Sequence, residues 1–277
     1  MKILVFGKYG QLAQSINEVI KGYSDIPEIT FLSSGDFNFI NPKISISDLI
    51  QGFDLIIITS AFTDVEKAEE IKNHSNLKDI NINTPFLICK KAAEIGIKVI
   101  IFSSDYVFDG RLECAYDEAQ ITNPQNKYGE SKAIMEDSIK KLNNVIIFRV
   151  SWLFSKAEKS FYSKILAKLQ SNEEFSVVGD QVGSPTSSNQ FAKFLIDNHA
   201  RFLEDDFTGI YHFHGYPYVS WYDFAFEIAK KNNLNTKIIK KISSKTLKEY
   251  KAKRPSNSCL KSTRIDLTGL NDWREDI

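Results

Sequence analysis

Tyr128 and Lys132 stand four residues apart in Tyr128-Gly129-Glu130-Ser131-Lys132, so a helix opening there presents both on one face. A phenol with an ordinary pKa near ~10 is a poor acid–base group at neutral pH. An ammonium held beside it favours the phenolate and brings that pKa down. Such a pair suits carbonyl reduction, in which the phenol gives a proton to oxygen as hydride reaches carbon. Ser104, at the end of the apolar run 99–103, is placed to hold the carbonyl oxygen by a hydrogen bond. The Tyr–Lys spacing alone also fits an ordinary surface helix. A glycine turn near the N-terminus and the Ser-Ser-Asp strand end tip the reading toward catalysis.

That turn is Gly7-Lys8-Tyr9-Gly10-Gln11-Leu12-Ala13, lying between an apolar run at 2–6 and a helical pattern at 11–21. Glycines allow the tight bend and the close approach of backbone to a pyrophosphate, while the helix start offers free N–H groups and a favourable dipole. At the end of the second strand, Phe31-Leu32-Ser33-Ser34 lacks the acidic residue that grips the ribose hydroxyls of NAD. No arginine stands there to hold a 2′-phosphate either. The expectation is NADPH ahead of NADH, with both accepted.

Stepwise along the chain, short apolar runs at 2–6, 29–32, 55–59, 99–103 and 145–149 alternate with helical patterns at 11–21, 45–51, 65–96 and 128–142. The long third helical stretch is expected to break at Thr84-Pro85. This alternation predicts an α/β fold: a Rossmann-type doubly wound parallel sheet with a smaller C-terminal α/β substrate lobe. Residues 1–150 read as the dinucleotide-binding domain and 151–277 as the substrate lobe, interleaved and without a flexible linker. In the lobe, helices are expected at 161–170, 190–198 and 222–232, and strands at 175–178 and 210–214. Residues 237–274 read as basic, polar and punctuated.

The 277 residues carry 35 Lys+Arg against 35 Asp+Glu, with 43% hydrophobic residues, which excludes a disordered chain and gives no global pull toward nucleic acid or acidic membrane. The apolar run before Gly7 is far shorter than a signal core or a membrane span. Cys89, Cys114 and Cys259 form no ligand cluster, so reduced thiols in a cytoplasmic protein are expected.

The chain resembles the extended short-chain dehydrogenases/reductases, and within them the dTDP-4-dehydrorhamnose reductase family. The resemblance rests on the glycine turn, on Val65-Glu66-Lys67-Ala68-Glu69, Asn81-Ile82-Asn83 and Ser104-Asp105-Tyr106-Val107-Phe108-Asp109-Gly110. It continues through the Tyr128 block, Arg149-Val150-Ser151-Trp152, Asp180-Gln181-Val182-Gly183-Ser184-Pro185-Thr186, Gly209-Ile210-Tyr211-His212 and Arg254-Pro255-Ser256-Asn257-Ser258. It implies reduction of the C4 keto group of a nucleotide-linked 6-deoxyhexose, for cell-surface polysaccharide synthesis. Another nucleotide-linked 4-keto sugar, or a cofactor-binding regulatory subunit without turnover, remain alternatives. By the resemblance, Tyr128 is the proton donor, Lys132 binds the nicotinamide ribose, and Ser104 polarises the keto oxygen. Gly7, Tyr9, Gly10, Gln11 and Leu12 fall at the pyrophosphate turn, Asn38 and Phe39 by the adenine, and Ala61, Phe62 and Thr63 along the cofactor. Asp105, Tyr106 and Trp152 match positions that contact the sugar. Ala13 stands where relatives carry a third glycine, and Asn38 where they carry an acid. The resemblance leaves a Mg2+ requirement and a homodimer open.

Several residues admit two readings. Arg254 is either a bidentate ligand of the substrate diphosphate or part of a solvated basic face. Trp152 is a sugar-facing wall or core. Trp221 and Tyr222 either stack on a base or belong to the core behind a helix cap. His212 and His214 could ligate a metal from one side of a strand, but no third ligand stands out, and a packed pair is the expectation.

Overall fold

Five apolar runs become strands: β1 (Lys2–Phe6), β2 (Glu28–Leu32), β3 (Leu55–Ile58), β4 (Lys98–Ser104) and β5 (Val145–Val150). The later strands are shorter: β6 (Leu153–Phe154), β7 (Phe175–Val178), β8 (Val182–Gly183), β9 (Thr186–Ser187), β10 (Gly209–Phe213), β11 (Val219–Ser220) and β12 (Ile239–Ile242). The α-helices are α1 (Gln11–Val19), α2 (Ile46–Ile50), α3 (Val65–Ala68), α4 (His74–Lys78), α5 (Thr84–Glu94), α6 (Lys127–Ile139), α7 (Phe161–Ser171), α8 (Ser188–Asp197) and α9 (Trp221–Lys231). The computed structural model describes residues 1–156, 160–247, 249–269 and 271–277.

The main sheet runs β10-β5-β4-β3-β1-β2, parallel throughout. Continuous apolar strands such as Leu55–Ile58 are buried on both faces, which is why they show no alternation in sequence. One face carries Ile3, Val5, Ile57 and Phe148 against α1 and α8; the other carries Leu4, Ile56, Val99 and Ile147 against α5 and α6. Each fully buried Leu, Ile or Phe contributes about 1.5–3 kcal/mol, so the two-sided core dominates the stability of the sheet. Strand order reverses between β1 and β3, and the crevice outside the carboxyl ends at such a point is where ligands bind.

β10 and α8 come from beyond residue 150 yet join the main sheet and its helical cover, where Ser188 on α8 hydrogen-bonds Ser15 on α1 at 2.7 Å. The rest of the second half packs a separate aromatic core: Phe154, Tyr162, Phe224 and Trp273, under α7 and α9.

Three features differ from expectation. The stretch 65–96 does not break at Thr84-Pro85: Pro85 stands at the start of α5 directly after a π turn, and the changed hydrogen-bond spacing there carries the helix past its missing N–H. The break falls at Glu70, which is extended, and a single π turn at Asp79–Asn83 then feeds α5. Within 237–274, read as basic, polar and punctuated, Ile239–Ile242 forms a strand that pairs with β7 in parallel; its two lysines are exposed, and four residues give too short a pattern to read. Trp273, near the C-terminus, is fully buried and donates its Nε1–H to the Pro217 carbonyl at 2.7 Å.

Candidate active site

At the switch point, β1 ends at Phe6 and Gly7 turns the chain with φ +100°. A Cβ at Gly7 would lie 2.5 Å from Thr59 Oγ1, so both the backbone angle and the contact with the end of β3 require glycine. The N–H groups of Gly7 and Lys8 both donate to the Leu32 carbonyl at 2.9 Å, and α1 begins at Gln11. Ala13 is fully buried in the core between sheet and helix, which shows how a methyl is accommodated at the third-glycine position.

This turn rims a cavity of about 690 Å³. From the first half, Gly7, Tyr9, Gly10, Gln11 and Leu12 line it, with Asn38 and Phe39 beyond β2 and Ala61 and Thr63 beyond β3. Ser104, Asp105, Tyr128, Lys132 and Trp152 line its other end. Three expected residues stand elsewhere. Phe62 is not on the cavity wall: its N–H and C=O are both taken by the Asn81 amide. Tyr106 and Arg254 are also off it; Arg254 pairs with Glu66 at 2.9 Å, lies 4.1 Å from the Tyr250 ring centroid, and borders a second cavity of about 620 Å³. Asn38 caps its own turn, accepting from Ile40 N–H at 2.8 Å, and Phe39 packs edge-on to Phe6 and Phe37.

Asn126 caps α6 by accepting from Gly129 N–H at 2.8 Å, which places Tyr128 in the first turn over the end of β4. Burial pushes the Tyr128 phenol up to about 12, while the Ser104 hydroxyl draws it down. The lowering by Lys132 read from the sequence is therefore not what the protein shows: the cost of a buried phenolate prevails. Tyr128 is thus fully protonated at neutral pH and carries the proton a donor needs. Burial brings Lys132 down to about 8, opposed by the Glu136 carboxylate, and its Nζ donates to the Phe102 carbonyl at 3.1 Å. Ser104 Oγ–H donates to Asp105 Oδ1 at 2.8 Å and accepts from Tyr106 N–H at 3.1 Å.

Asp105 itself is 3% exposed, and its second oxygen accepts from Ser151 Oγ at 3.0 Å. Burial raises its carboxyl to about 6, against the hydroxyls of Ser258, Ser104 and Ser151. A residue that spacing alone did not single out is Asn81, on the π turn. Besides holding Phe62 it donates to Ser131 Oγ at 2.9 Å, and so braces α6 from below. A π turn in a helix is the structural sign of such a site, and it leaves no mark on the hydrophobic pattern. His212 and His214 are buried and packed: His212 Nδ1 lies 3.0 Å from the Lys261 carbonyl, and burial takes its pKa down to about 4. Among the described residues, no three His, Cys, Asp or Glu side chains group to hold a metal, and the three cysteines are free. No described helix is long and apolar enough to cross a membrane.

A parallel sheet of this order, with a glycine turn at the switch point and Ser, Tyr and Lys at the far end of one cleft, defines an NAD(P)-dependent oxidoreductase of the extended short-chain dehydrogenase/reductase class. The family model described as RmlD substrate binding domain matches residues 1–277. The chain is 32% identical over 292 residues to the dTDP-4-dehydrorhamnose reductase of Aggregatibacter actinomycetemcomitans, covering 100% of this chain and 97% of that one. To the enzyme of the same name from Escherichia coli strain K12 it is 30% identical, covering 100% and 96%. The crystal structure of dTDP-4-dehydrorhamnose reductase from Bacillus anthracis in complex with NADP superposes with a TM-score of 0.88 at 27% identity, covering 99% of this chain and 96% of that one. The chain belongs to the dTDP-4-dehydrorhamnose reductase family.

Proposed function

We propose that the protein reduces the C4 keto group of dTDP-4-dehydro-6-deoxy-L-mannose to give dTDP-L-rhamnose, using NADPH in preference to NADH, in the cytoplasm, for polysaccharide synthesis. The observation that carries this is the meeting of a protonated, buried Tyr128, the Ser104 hydroxyl and Lys132 in the cleft that begins at the Gly7 turn.

The cleft fits a dinucleotide on its own features. Gly7 lets the turn close tightly on Thr59 and Ser60 at the floor of the cleft, and Gln11 opens a helix whose first N–H groups are free for an anion. Lys132 is 4% exposed with an ammonium held by one carbonyl, which leaves donors for ribose hydroxyls. Bound there, NADPH supplies the hydride. Tyr128 gives its phenolic proton to the keto oxygen, so that carbonyl, hydride and proton balance as a secondary alcohol. Ser104 steadies that oxygen, and the Lys132 ammonium stabilises the phenolate left behind until solvent restores its proton. Residues 1–150 serve the cofactor, and 151–277 supply most of the sugar-nucleotide contacts. Asp105 and Trp152 border the sugar, with Tyr106 beside them off the cavity wall, while Arg254 serves the diphosphate side from the second cavity.

The test is NADPH oxidation with dTDP-4-keto-rhamnose beside its GDP- and UDP-linked analogues, with the product identified by NMR. Turnover of the dTDP sugar to the rhamno product is expected. Cofactor binding without oxidation across the whole panel would turn the reading toward a regulatory subunit.

A further inference from the structure

Trp152 leaves β5 in the left-handed region, at φ 45°, which a bulky residue adopts only when its surroundings compel it. Its indole lies flat on that of Trp221, with ring centroids 3.4 Å apart and planes 6° from parallel. Phe161 backs Trp221 at 4.5 Å. At Gly183 a Cβ would stand 2.3 Å from the Trp152 ring and 2.6 Å from its Nε1, so the polar edge of the indole is turned against protein backbone. These supports are linked to one another. β8, which carries Gly183, pairs with β11, and Ser220 of β11 caps the helix that Trp221 opens, in a capping box with Asp223. The side chain so fixed borders the cavity that also holds Ser104 and Tyr128.

Resting on the ketoreductase reading above, we propose that Trp221 is a positioning residue for substrate selection. By stacking on Trp152 it keeps an apolar wall beside the reacting carbonyl, and that wall favours a sugar whose exocyclic carbon is a methyl over one that bears a hydroxyl there. In such a sugar the reacting carbon has two ring neighbours, one carrying a hydroxyl and the other the exocyclic carbon. A hydroxyl pressed against the ring loses its water without gaining a partner, whereas a methyl loses nothing. Selection by an apolar wall is modest, about tenfold or somewhat more.

The experiment uses the full chain as Trp221→Leu, Trp221→Phe and Gly183→Ala, the last pressing on Trp152 while both indoles are kept. The stacked indoles give an exciton couplet in circular dichroism, which reports the arrangement independently of activity. For Trp221→Leu the expected result is loss of the couplet and a KM for the 4-keto-6-deoxy sugar nucleotide raised about tenfold. NADPH affinity and kcat should change little. The preference for a 6-deoxy over a 6-hydroxy nucleotide sugar of the same configuration, measured as product-side inhibition, should collapse. Trp221→Phe should recover most of the KM and most of the preference, though not the couplet, which needs two indoles. If Trp221→Leu does not fold, Trp221→Phe and Gly183→Ala decide the matter by intermediate shifts in the same two quantities. Wild-type KM and wild-type preference in Trp221→Leu, or in a Gly183→Ala protein that has lost the couplet, overturn the proposal alone. A wild-type protein that turns over no 4-keto nucleotide sugar overturns the functional reading and this proposal together.

Discussion

Glu136 and Arg149 form a two-point ion pair, Nη2 to Oε2 at 2.7 Å and Nε to Oε1 at 2.9 Å, with both side chains 3% exposed. Glu136 lies one helical turn beyond Lys132 on α6, and Arg149 sits near the end of β5, so the pair ties the helix that carries Tyr128 and Lys132 to the sheet. The Arg149 guanidinium also rests 4.9 Å from the Phe108 ring centroid. Removing one partner leaves the other buried and unpaired, a loss of about 3–5 kcal/mol. Glu136→Ala should therefore lower the urea midpoint strongly at unchanged slope. A midpoint equal to that of the wild type would mean that Arg149 finds a substitute partner.

Tyr128→Phe removes the proposed proton donor and leaves a ring of the same shape. General acid catalysis of this kind contributes about 10²–10⁴-fold, so kcat should fall by that range. NADPH affinity, read by fluorescence titration, should stay close to that of the wild type. Near-normal turnover in this variant would remove Tyr128 from the mechanism.

Where local pattern carries the information, the sequence is readable. The buried strands show as apolar runs, the glycine turn as a strand–Gly–helix junction, and the Tyr128–Lys132 pair as a helical spacing. The Asp105 site is different in kind, since its hydroxyls come from β4, from the end of β5 and from Ser258 near the C-terminus. Arg254 likewise meets Glu66 from the opposite half of the chain. Such pairings follow from the packing of the lobe against the sheet and have no period to read. The direction of the Tyr128 shift was hidden for the same reason: the spacing shows the ammonium, but only the fold shows the burial.

Asp105 gives the protein a pH dependence of known sign. Its carboxyl titrates at about 6 in the folded chain against an ordinary 3.8, because burial penalises the carboxylate. The folded state therefore holds that proton more tightly. The stability it contributes is complete below about pH 4 and is lost as pH rises through about 6, with a ceiling of roughly 3 kcal/mol. Asp105→Asn stays neutral at every pH. Its urea midpoint relative to the wild type should be clearly higher at pH 7.5 than at pH 4. A difference that is flat across this range would show that the three hydroxyls fully offset the burial of the charge.

Lys132 has the opposite linkage, and its proposed role sets function against stability. Its ammonium titrates at about 8 in the folded chain against an ordinary 10.5, again because burial penalises the charge. Between those values the unfolded chain binds more protons, so stability rises with pH across that window. Below about pH 8 the folded chain carries a buried cation held by one carbonyl and by the field of Glu136, at a cost of roughly 3 kcal/mol at most. Lys132→Met should accordingly abolish turnover while raising the melting temperature at pH 7, and its advantage should shrink as pH climbs toward 10. This is the trade expected of a group retained for chemistry rather than packing. Calorimetry of the two proteins at pH 7 and pH 9.5 decides it. A Lys132→Met protein that melts below the wild type at pH 7 would make the lysine a structural residue, and the case for its place in catalysis would then rest on the cleft geometry alone.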